Sequence, residues 1–399
     1  MTPTWATARL GDVLRTTTRE EPVDRSATYR LLGVRLDGKG PFLREEKAGA
    51  AISATKLASV QAGGFIYSRL FAWRGAFGVI PPELDGCHVS GEFPTFAAVP
   101  ERLDLNFLRY WFRLPETLRS VEAWCSGSTP LTRNRLKEER FLALEVPLPP
   151  LAEQRQIVAR IKRLAAKVSE AQEISGSAAK ASASVVDAEL DRVFIALSAT
   201  SQGTVIEDSG GYVTSGPRGW GKFYSEHGTR RLVRVENVND RRVDLSIAAR
   251  VSLPLGAGDV ERSQIKKGDV LVTITGAIGR VGVVTGFDLP CHVSQHVALI
   301  RPPKGLCPEY LYWFLRCPKL GRSQTEGKTY GATKPGINLT SLWRLAVITP
   351  PLAEQRRIVA YLDDLQAKVD SLKDVQEKTA AELDALMPSI LDKAFRGEL

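Results

Sequence analysis

The chain has 399 residues, of which 43% are hydrophobic and 25% charged, and its formal net charge is +9. This composition excludes a disordered protein, and no apolar run approaches the length of about 18 residues that a membrane span requires. Five cysteines without a C-x-x-C pair argue against a disulfide framework, and the N-terminal MTPTWATARL lacks the features of a signal peptide. We therefore expect a cytoplasmic protein with reduced thiols.

Residues 1–148 are predicted to form an α+β domain. Short apolar runs such as YRLLGVRL and GFIYSRLF are bounded by glycine and other turn formers, which favours strands. The stretch LDLNFLRYWFRL favours one amphipathic helix in the later part of the segment. We expect a curved sheet with few helices.

Two loops of this segment are typical of DNA contact. The stretches SRLFAWRGAFG and SGSTPLTRNR interleave basic side chains with Ser, Thr, Asn and an aromatic residue. Such side chains offer cations for phosphates and donors for base edges, although a solvated loop face is the alternative for each of them. The predicted DNA-binding residues here are Arg69, Trp73, Arg74, Ser128, Thr129, Arg133, Asn134 and Arg135.

Catalytic motifs find little support in the same segment. GVRLDGKG at 33–40 has the spacing of a phosphate loop, but Gly40 stands where a hydroxyl must bind magnesium. Asp37 together with EEK at 45–47 faintly resembles the carboxylate–lysine cluster of a nuclease, which we keep as a weaker alternative. The segment therefore favours binding over catalysis.

Residues 149–198 are predicted to form one long helix. It opens with PPLAEQRQIVARI, and a Pro-Pro pair followed by Glu153 suits the start of a helix. Apolar residues recur at alternating steps of four and three, as in the seam of a coiled coil. The predicted seam residues are Ile157, Ile161, Leu164 and Val168, followed by a weaker series of small residues.

Residues 199–348 repeat the plan of the first segment. The tetrapeptide CHVS occurs at 87–90 and again at 291–294, and its Cys and His would point to opposite faces of a strand, so we expect no metal site there. The segment carries 20 basic and 12 acidic residues, which favours a polyanionic partner. The predicted DNA-binding residues here are Arg280, Ser294, Gln295, His296, Lys328, Tyr330, Thr333 and Lys334.

Residues 349–399 are predicted to form a second long helix. PPLAEQRRIVAYL repeats the opening of the first helix 201 positions later, and no insertion or deletion interrupts the match that follows. Pro388 is predicted to kink or end this helix. The predicted seam residues are Ile358, Leu362, Leu365, Val369, Leu372, Leu383 and Leu386.

The chain resembles the DNA-specificity subunits of type I restriction–modification systems. The resemblance rests on PLPPLAEQRQIV, ITPPLAEQRRIV and the C-terminal PSILDKAFRGEL, and its layout covers nearly the whole chain. It implies two pseudo-symmetric α+β target-recognition domains, separated by two long antiparallel coiled-coil helices, that read two different DNA half-sites. The boundaries that it implies are 1–148 for the first recognition domain, 149–198 for the first spacer helix, 199–348 for the second domain and 349–399 for the second helix.

The resemblance also implies partners and cofactors. Two modification subunits would dock on this chain and methylate adenine with S-adenosylmethionine, and restriction subunits would add ATP- and magnesium-dependent translocation and cleavage of double-stranded DNA. The chain itself is then expected to be non-catalytic and to bind no cofactor. The length of the helices is expected to set the gap between the half-sites.

A standalone DNA-binding or architectural protein is the competing hypothesis. The repeated AEQR lies outside the predicted seam, and a protein without partners has no evident need for it. We therefore interpret this repeat as favouring a docked partner subunit.

Overall fold

The computed structural model describes residues 5–126, 134–254, 258–326 and 336–399. The chain divides into two compact units, one formed by Met1–Ser175 with Lys378–Leu399 and the other by Gly176–Glu377. Two long helices, Leu151–Ser198 and Leu352–Phe395, therefore each contribute one part to either unit. The finer division into four segments at 148, 198 and 348 stays a prediction.

Unit 1 contains a mixed domain of short strands and helices. Its strands are β1 (Thr7–Arg9), β2 (Leu14–Thr16), β3 (Glu20–Pro22), β4 (Thr28–Arg35), β5 (Gly40–Ala48), β6 (Lys56–Ser59), β7 (Phe65–Tyr67), β8 (Phe77–Val79), β9 (His88–Val89), β10 (Thr95–Ala98) and β11 (Glu145–Pro147). Its helices are α1 (Leu10–Val13), α2 (Leu105–Trp111), α3 (Pro115–Trp124), α4 (Glu138–Ala143) and the first part of α5 (Leu151–Ser198), and the last part of the second long helix, from Lys378, also belongs to it. The strands pair in the orders β3-β6-β9-β4-β5, β2-β10-β7-β8 and β1-β11.

A stack of aromatic rings fills the largest core cluster of unit 1. The centroids of Phe77 and Phe112 lie 4.0 Å apart, and Phe141 stacks on Tyr67 at 4.5 Å. Such ring pairs contribute about 0.5–1.5 kcal/mol each beyond the burial of their area. Val158 and Ile161 of α5 pack into the same core, so this part of the long helix belongs to the fold of the domain.

Unit 2 repeats the mixed α+β plan, and its largest sheet has six strands. Its strands are β12 (Gly203–Val205), β13 (Tyr212–Ser215), β14 (Arg230–Val233), β15 (Val238–Asn239), β16 (Arg241–Val243), β17 (Ala249–Val251), β18 (Val270–Thr273), β19 (Val281–Val283), β20 (Cys291–Val293), β21 (Val297–Arg301) and β22 (Ala346–Ile348). Its helices are α6 (Gly258–Arg262), α7 (Pro308–Arg316), α8 (Ser323–Glu326), α9 (Leu339–Trp343), the last part of α5 from Gly176 and the first part of α10 (Leu352–Phe395). The strands pair in the orders β13-β21-β18-β19-β16-β15, β17-β14-β20 and β12-β22.

The core of unit 2 is built from β-branched residues and one buried helix. All four residues of β18 are buried, and α7 buries every residue from Tyr310 to Leu315. Leu190 and Phe194 of α5 pack in the same core as Leu362 of α10. The helix predicted for the first domain is confirmed as α2, and α7 takes the same place in the repeated plan of the second domain.

One fully buried glutamine attaches each long helix to its domain. Gln154 Nε2 donates to the carbonyl oxygens of Arg102 (3.0 Å) and Pro149 (2.8 Å), and its Oε1 accepts from the backbone N–H of Asp104 at 2.8 Å. The backbone groups that it bonds lie just before α2 and at the start of α5. The three bonds hold the entry to α2 against the first turn of α5.

Gln355 does the same in unit 2. Its Nε2 donates to the carbonyl oxygens of Gly305 and Pro350 at 2.8 Å, and its Oε1 accepts from the N–H of Cys307 at 2.8 Å. The glutamine of the repeated AEQR is therefore internal, so the interpretation of the whole repeat as a docking surface is wrong for this residue. A buried side chain that satisfies three backbone groups explains its repetition without a partner.

Within each unit, the parts of α5 and α10 run antiparallel. In unit 1 Gln172 Nε2 donates to Asp384 Oδ1 at 2.8 Å, and in unit 2 the hydroxyl of Tyr361 donates to Glu189 Oε1 at 2.6 Å.

No helix in the described ranges combines the length and the apolar character of a membrane span.

Two residues of the predicted seam are exposed. Leu372 is 45% exposed, and it lies one turn before Gln376, whose Nε2 donates to Ser182 Oγ of α5 at 3.0 Å. Leu386 is 42% exposed because the buried side of α10 passes instead through Leu391 and Ala394. A straight helix of 3.6 residues per turn drifts away from a heptad pattern by about 20° per heptad. Pro388 does not end the helix, which continues to Phe395.

The remaining seam predictions fall on a mixture of environments. Ile161, Ile358, Leu362 and Val369 are almost fully buried in the unit to which each belongs, and Val168 is 6% exposed. Ile157, Leu164, Leu365 and Leu383 are half-buried. A heptad seam therefore describes only part of each helix, because its ends pack on a domain.

Candidate nucleic-acid interface

Seven of the predicted DNA-binding residues lie outside the described residues. They are Ser128, Thr129, Arg133, Lys328, Tyr330, Thr333 and Lys334. The base of the first of these two segments is described: Ser126 and Arg135 pair through N–H···O bonds of 3.0 and 3.1 Å. The assignment of these seven residues to DNA binding stays a prediction.

Two of the first-domain arginines already hold carboxylate partners. Arg69 donates to the carbonyl oxygen of Gly91 at 2.7 Å and to Glu138 Oε2 at 3.1 Å. Arg135 forms an ion pair with Glu92 at 2.7 Å. These bonds tie together three chain segments of the domain, so both guanidinium groups have a structural role in the unbound chain.

Arg74 is exposed, and its carbonyl oxygen accepts from the N–H of Asp37 at 3.0 Å. It ends a short 3-10 turn, Ala72–Arg74, and its guanidinium lies 5.9 Å from the ring of half-buried Trp73. Trp73 is fixed by a bond from its Nε1 to the carbonyl oxygen of Leu70 at 3.1 Å. Asn134 is half-buried at the end of the neighbouring segment. The pair of Trp73 and Arg74 can therefore offer DNA an oriented cation.

In the second domain three predicted residues lie together on one concave surface. Ser294, Gln295 and His296 follow β20 and line a cavity of about 370 Å³. Gln295 Nε2 lies 2.7 Å from His296 Nε2, and His296 Nδ1 lies 2.6 Å from Thr275 Oγ1. Exposed Arg280 belongs to the same turn as Thr275, since its N–H donates to Thr273 Oγ1 at 2.9 Å.

The sequence reasoning missed Tyr224 and Arg234, which line the same cavity. The guanidinium of Arg234 lies 5.7 Å from the ring of Tyr224 and forms an ion pair of 2.6 Å with Glu236. Both residues also line an adjoining hollow of about 530 Å³ that reaches Arg250. The sequence features that could have indicated them are an arginine just after the predicted strand in RLVRVENV and an aromatic residue between polar residues in GKFYSEH.

Several polar atoms of this surface are buried with no hydrogen-bond partner in the described part of the chain. They are Arg234 Nε, Ser294 Oγ and Gln295 Oε1. A buried polar group without a partner costs roughly 1–3 kcal/mol. Arginine, glutamine and serine are also residue types that contact phosphates and base edges. The surface can therefore gain hydrogen bonds when its side chains rearrange on a nucleic acid.

Both CHVS motifs contribute residues to a core, Cys87 and Val89 in unit 1 and Cys291 and Val293 in unit 2. Cys291 and His292 lie in the buried strand β20, where burial raises the pKa of Cys291 to about 11 and lowers the pKa of His292 to about 4. The ring of His292 is hydrogen-bonded at 3.0 Å to Arg230 and at 3.3 Å to Ser263. Across residues 5–126, 134–254, 258–326 and 336–399, no group of three or more His, Cys, Asp or Glu is placed to hold a metal ion.

The carboxylates that resembled a nuclease cluster do not converge. Glu45 and Glu46 are neighbours on β5, so their side chains point to opposite faces of the sheet. Glu45 pairs with Arg44, and Glu46 lies 3.9 Å from Arg30. Asp37 lies in the turn before β5 at a φ of 57°. These residues build a hairpin with a charged outer strand.

Comparison with known families identifies the class of protein. The family described as "Type I restriction modification DNA specificity domain" matches residues 3–175 and 233–382. The two matches together cover most of the chain, and they fall on both mixed domains and on both long helices. The chain therefore belongs to this family, and the resemblance drawn from the repeated motif is confirmed.

Individual relatives are similar over part of their length. The specificity subunit of the type I restriction enzyme EcoBI from Escherichia coli is 29% identical over 322 residues, which are 73% of this chain and 65% of that protein. The EcoKI specificity subunit from Escherichia coli K12 is 24% identical over 67% of this chain and 60% of that protein. The chain thus spans less than two thirds of the length of these relatives.

Solved structures share the fold over the whole chain. The HsdS subunit from Thermoanaerobacter tengcongensis matches with a TM-score of 0.63 and 25% identity, covering 100% of this chain and 98% of that one. A chain from a study of complex assembly and conformational transition of the type I R-M system matches with a TM-score of 0.77 and 24% identity over 100% of both chains. The predicted fold class, two α+β domains with two long helices, is confirmed.

Proposed function

We propose that the chain is the specificity subunit of a type I restriction–modification complex and binds an asymmetric, bipartite DNA site, one half-site to each domain. The observation that carries this proposal is the duplication. Each domain meets its long helix through the same buried glutamine, whereas the candidate DNA-binding residues differ between the domains. Two domains of one plan with different surfaces suit two different half-sites.

The chemistry of the two surfaces supports this assignment. In the first domain Arg74 beside Trp73 offers a cation for phosphate or guanine. In the second domain Arg234 offers positive charge, and the amide of Gln295 can both donate and accept, as the edge of adenine requires. A net charge of +9 favours approach to DNA in general.

The chemical steps would belong to partner subunits. We propose that two modification subunits dock on this chain and methylate adenine with S-adenosylmethionine, and that restriction subunits supply ATP- and magnesium-dependent cleavage. This chain would bind no cofactor and would act by choosing the site. Its paired helices would set the number of base pairs between the half-sites.

Methylation-aware sequencing of the host genome tests the proposal. A bipartite methyladenine motif should be present in the parent strain and should vanish when the gene for this chain is deleted. The purified chain alone should neither methylate nor cleave DNA that carries this motif. Methylation by the isolated chain in the presence of S-adenosylmethionine would overturn the proposal.

The standalone DNA-binding protein remains the alternative, since the buried role of Gln154 and Gln355 explains part of the AEQR repeat without a partner. Purification of the tagged chain from its host separates the two functions. A methyltransferase subunit should co-purify in a fixed ratio with the proposed specificity subunit. DNA binding without such a subunit, together with an unchanged methylome on deletion, would favour the standalone protein.

A further inference from the structure

The part of α5 that belongs to unit 1 carries three cations on one exposed face. Arg160, Arg163 and Lys167 are spaced by three and four residues, so their side chains lie above one another along the helix. All three are exposed, and they lie on the opposite side of α5 from Ile161 and Val158, which are buried in the core. The face is therefore directed away from the domain.

These three cations have no ion-pair partner within the described residues. No salt bridge or side-chain hydrogen bond involves Arg160, Arg163 or Lys167 there, although many other arginines of the chain are paired. Like charges at this spacing destabilise a helix by about 0.2–0.5 kcal/mol per pair. The face is thus mildly unfavourable unless a negative charge is brought to it.

The second copy of the repeat provides an internal comparison. The positions 201 residues later are Tyr361, Asp364 and Lys368. Lys368 pairs with Asp364 at 2.8 Å, and the hydroxyl of Tyr361 donates to Glu189 at 2.6 Å. The same helical positions are therefore charge-balanced in unit 2, so the unpaired cations of unit 1 do not follow from the helix pattern itself.

We propose that Arg160, Arg163 and Lys167 contact phosphates of the bound DNA and read no bases. This inference rests on the proposed function, because it assigns a second contact to the same DNA. The charge of the face is complementary to a polyanion. A docked protein would instead be expected to require an apolar centre, and the nearest exposed large apolar side chain on this face is Ile174, which is 64% exposed beyond the cluster.

The dimensions of the face suit a DNA strand. Seven residues of helix rise about 10 Å, and one strand places a phosphate about every 3.4 Å along the axis. The three cations can therefore neutralise up to about three phosphates. Each neutralised phosphate contributes about 0.9 to the slope of log K against log salt concentration.

A salt titration of DNA binding tests the proposal. The full-length chain is compared with a triple variant, Arg160→Gln, Arg163→Gln and Lys167→Gln, by fluorescence anisotropy on duplexes with and without the methylated motif. Glutamine keeps helix propensity at exposed positions. The slope should fall by roughly 2–3 on both duplexes, and the preference between them should be unchanged.

A matched control removes the same charge from the other helix. The triple variant Arg356→Gln, Lys368→Gln and Lys373→Gln changes three exposed cations of α10 in unit 2 and should leave the slope within about one of the wild type. A second variant, Arg160→Lys and Arg163→Lys, keeps the charge and should keep the wild-type slope, because a phosphate accepts either cation.

The outcomes separate this inference from the function on which it rests. If the wild-type chain binds neither duplex, the proposed function fails and the inference fails with it. If the wild type binds and the two triple variants have equal slopes, only this inference is overturned. Loss of a co-purifying subunit from the α5 variant at an unchanged slope would show that the face binds protein, which also overturns it.

Discussion

Aromatic rings fill the largest core cluster of unit 1, whereas β-branched residues and one buried helix fill that of unit 2. Phe65, Phe77 and Phe141 stack in the first core, while the second sheet buries whole strands such as Val270–Thr273. The two domains nevertheless share the position of α2 and α7 in the chain plan and the same attachment to a long helix. Apolar cores of equal volume can be filled in many ways, so their composition was free to differ.

The contact between each domain and its long helix is instead made by the same residue type in both units. Gln154 and Gln355 each satisfy two backbone carbonyl groups and one N–H group at distances between 2.8 and 3.0 Å. A side chain with both a donor and an acceptor on one planar group is needed for this set, and a glutamine has the required reach. The contact between domain and long helix is therefore the same in both units, while the core and the candidate binding surface differ.

The aromatic core of unit 1 should show the largest effect. Phe141 is fully buried and lies within 4.5 to 6.3 Å of five other rings, measured between centroids. We expect Phe141→Ala to destabilise unit 1 by about 3–5 kcal/mol, and hydrogen exchange should locate the loss in that unit. Phe287→Ala, at a side chain that is 43% exposed in unit 2, serves as the control and should cost under about 1 kcal/mol. Equal losses would contradict the role given to the ring stack.

The two glutamines should have equal effects in different units. Gln154→Ala leaves three backbone groups of unit 1 without a partner, and Gln355→Ala does so in unit 2, so each should cost about 3 kcal/mol. Exchange of amide hydrogens should rise around 102–104 in the first variant and around 305–307 in the second. Gln156→Ala, at an exposed position two residues away, should change little. If faster exchange were not confined to the unit that carries the substitution, the glutamine would not act on its own domain alone.

Acid should weaken unit 2 through His292. Burial, assisted by Arg230, holds the pKa of His292 at about 4 in the folded chain, below about 6.5 in an unfolded one. The unfolded chain therefore binds the extra proton, and this contribution to stability is complete above pH 6.5 and is lost as the pH falls towards 4. At pH 5 the loss should be about 2 kcal/mol.

Urea unfolding at pH 8 and pH 5 measures this contribution. His292→Gln should reduce the difference between the two pH values, whatever its effect at pH 8. Half-buried His88 of unit 1 also has a lowered pKa, caused by burial, and it provides the comparison. A pH difference unaffected by His292→Gln would assign the acid sensitivity to carboxylates instead.

The smallest predicted effects distinguish the two DNA surfaces. Arg74→Ala should change recognition of the first half-site only, and Gln295→Ala or Arg280→Ala that of the second only, each by about tenfold or ~1.4 kcal/mol. Binding to duplexes altered in one half-site at a time measures this. Lys56→Ala, an exposed cation of the first domain outside the candidate surface, is the control. Equal changes at both half-sites would contradict separate readers.

Part of the candidate surface was predictable from the sequence. Ser294, Gln295 and His296 are adjacent in the chain, so a single loop had to carry them together. Arg234 joins them because β14 pairs in parallel with β20. Tyr224 does so because it bridges to Val251 of β17, which pairs with β14. The ion pair of Arg69 with Glu138 likewise spans 69 positions, so no local pattern could show that this arginine is already engaged.

Repeats and apolar periodicity are local properties of a chain, so the duplication, the two long helices and the α+β character of both domains could be predicted from the residues alone. Tertiary structure alone decided which helix face is buried, since Leu386 is exposed and Leu391 buried once α10 packs on a domain. It also decided the role of Gln154 and Gln355. A polar residue beside a seam looks solvent-exposed in a sequence, and only the folded chain places three backbone groups around it.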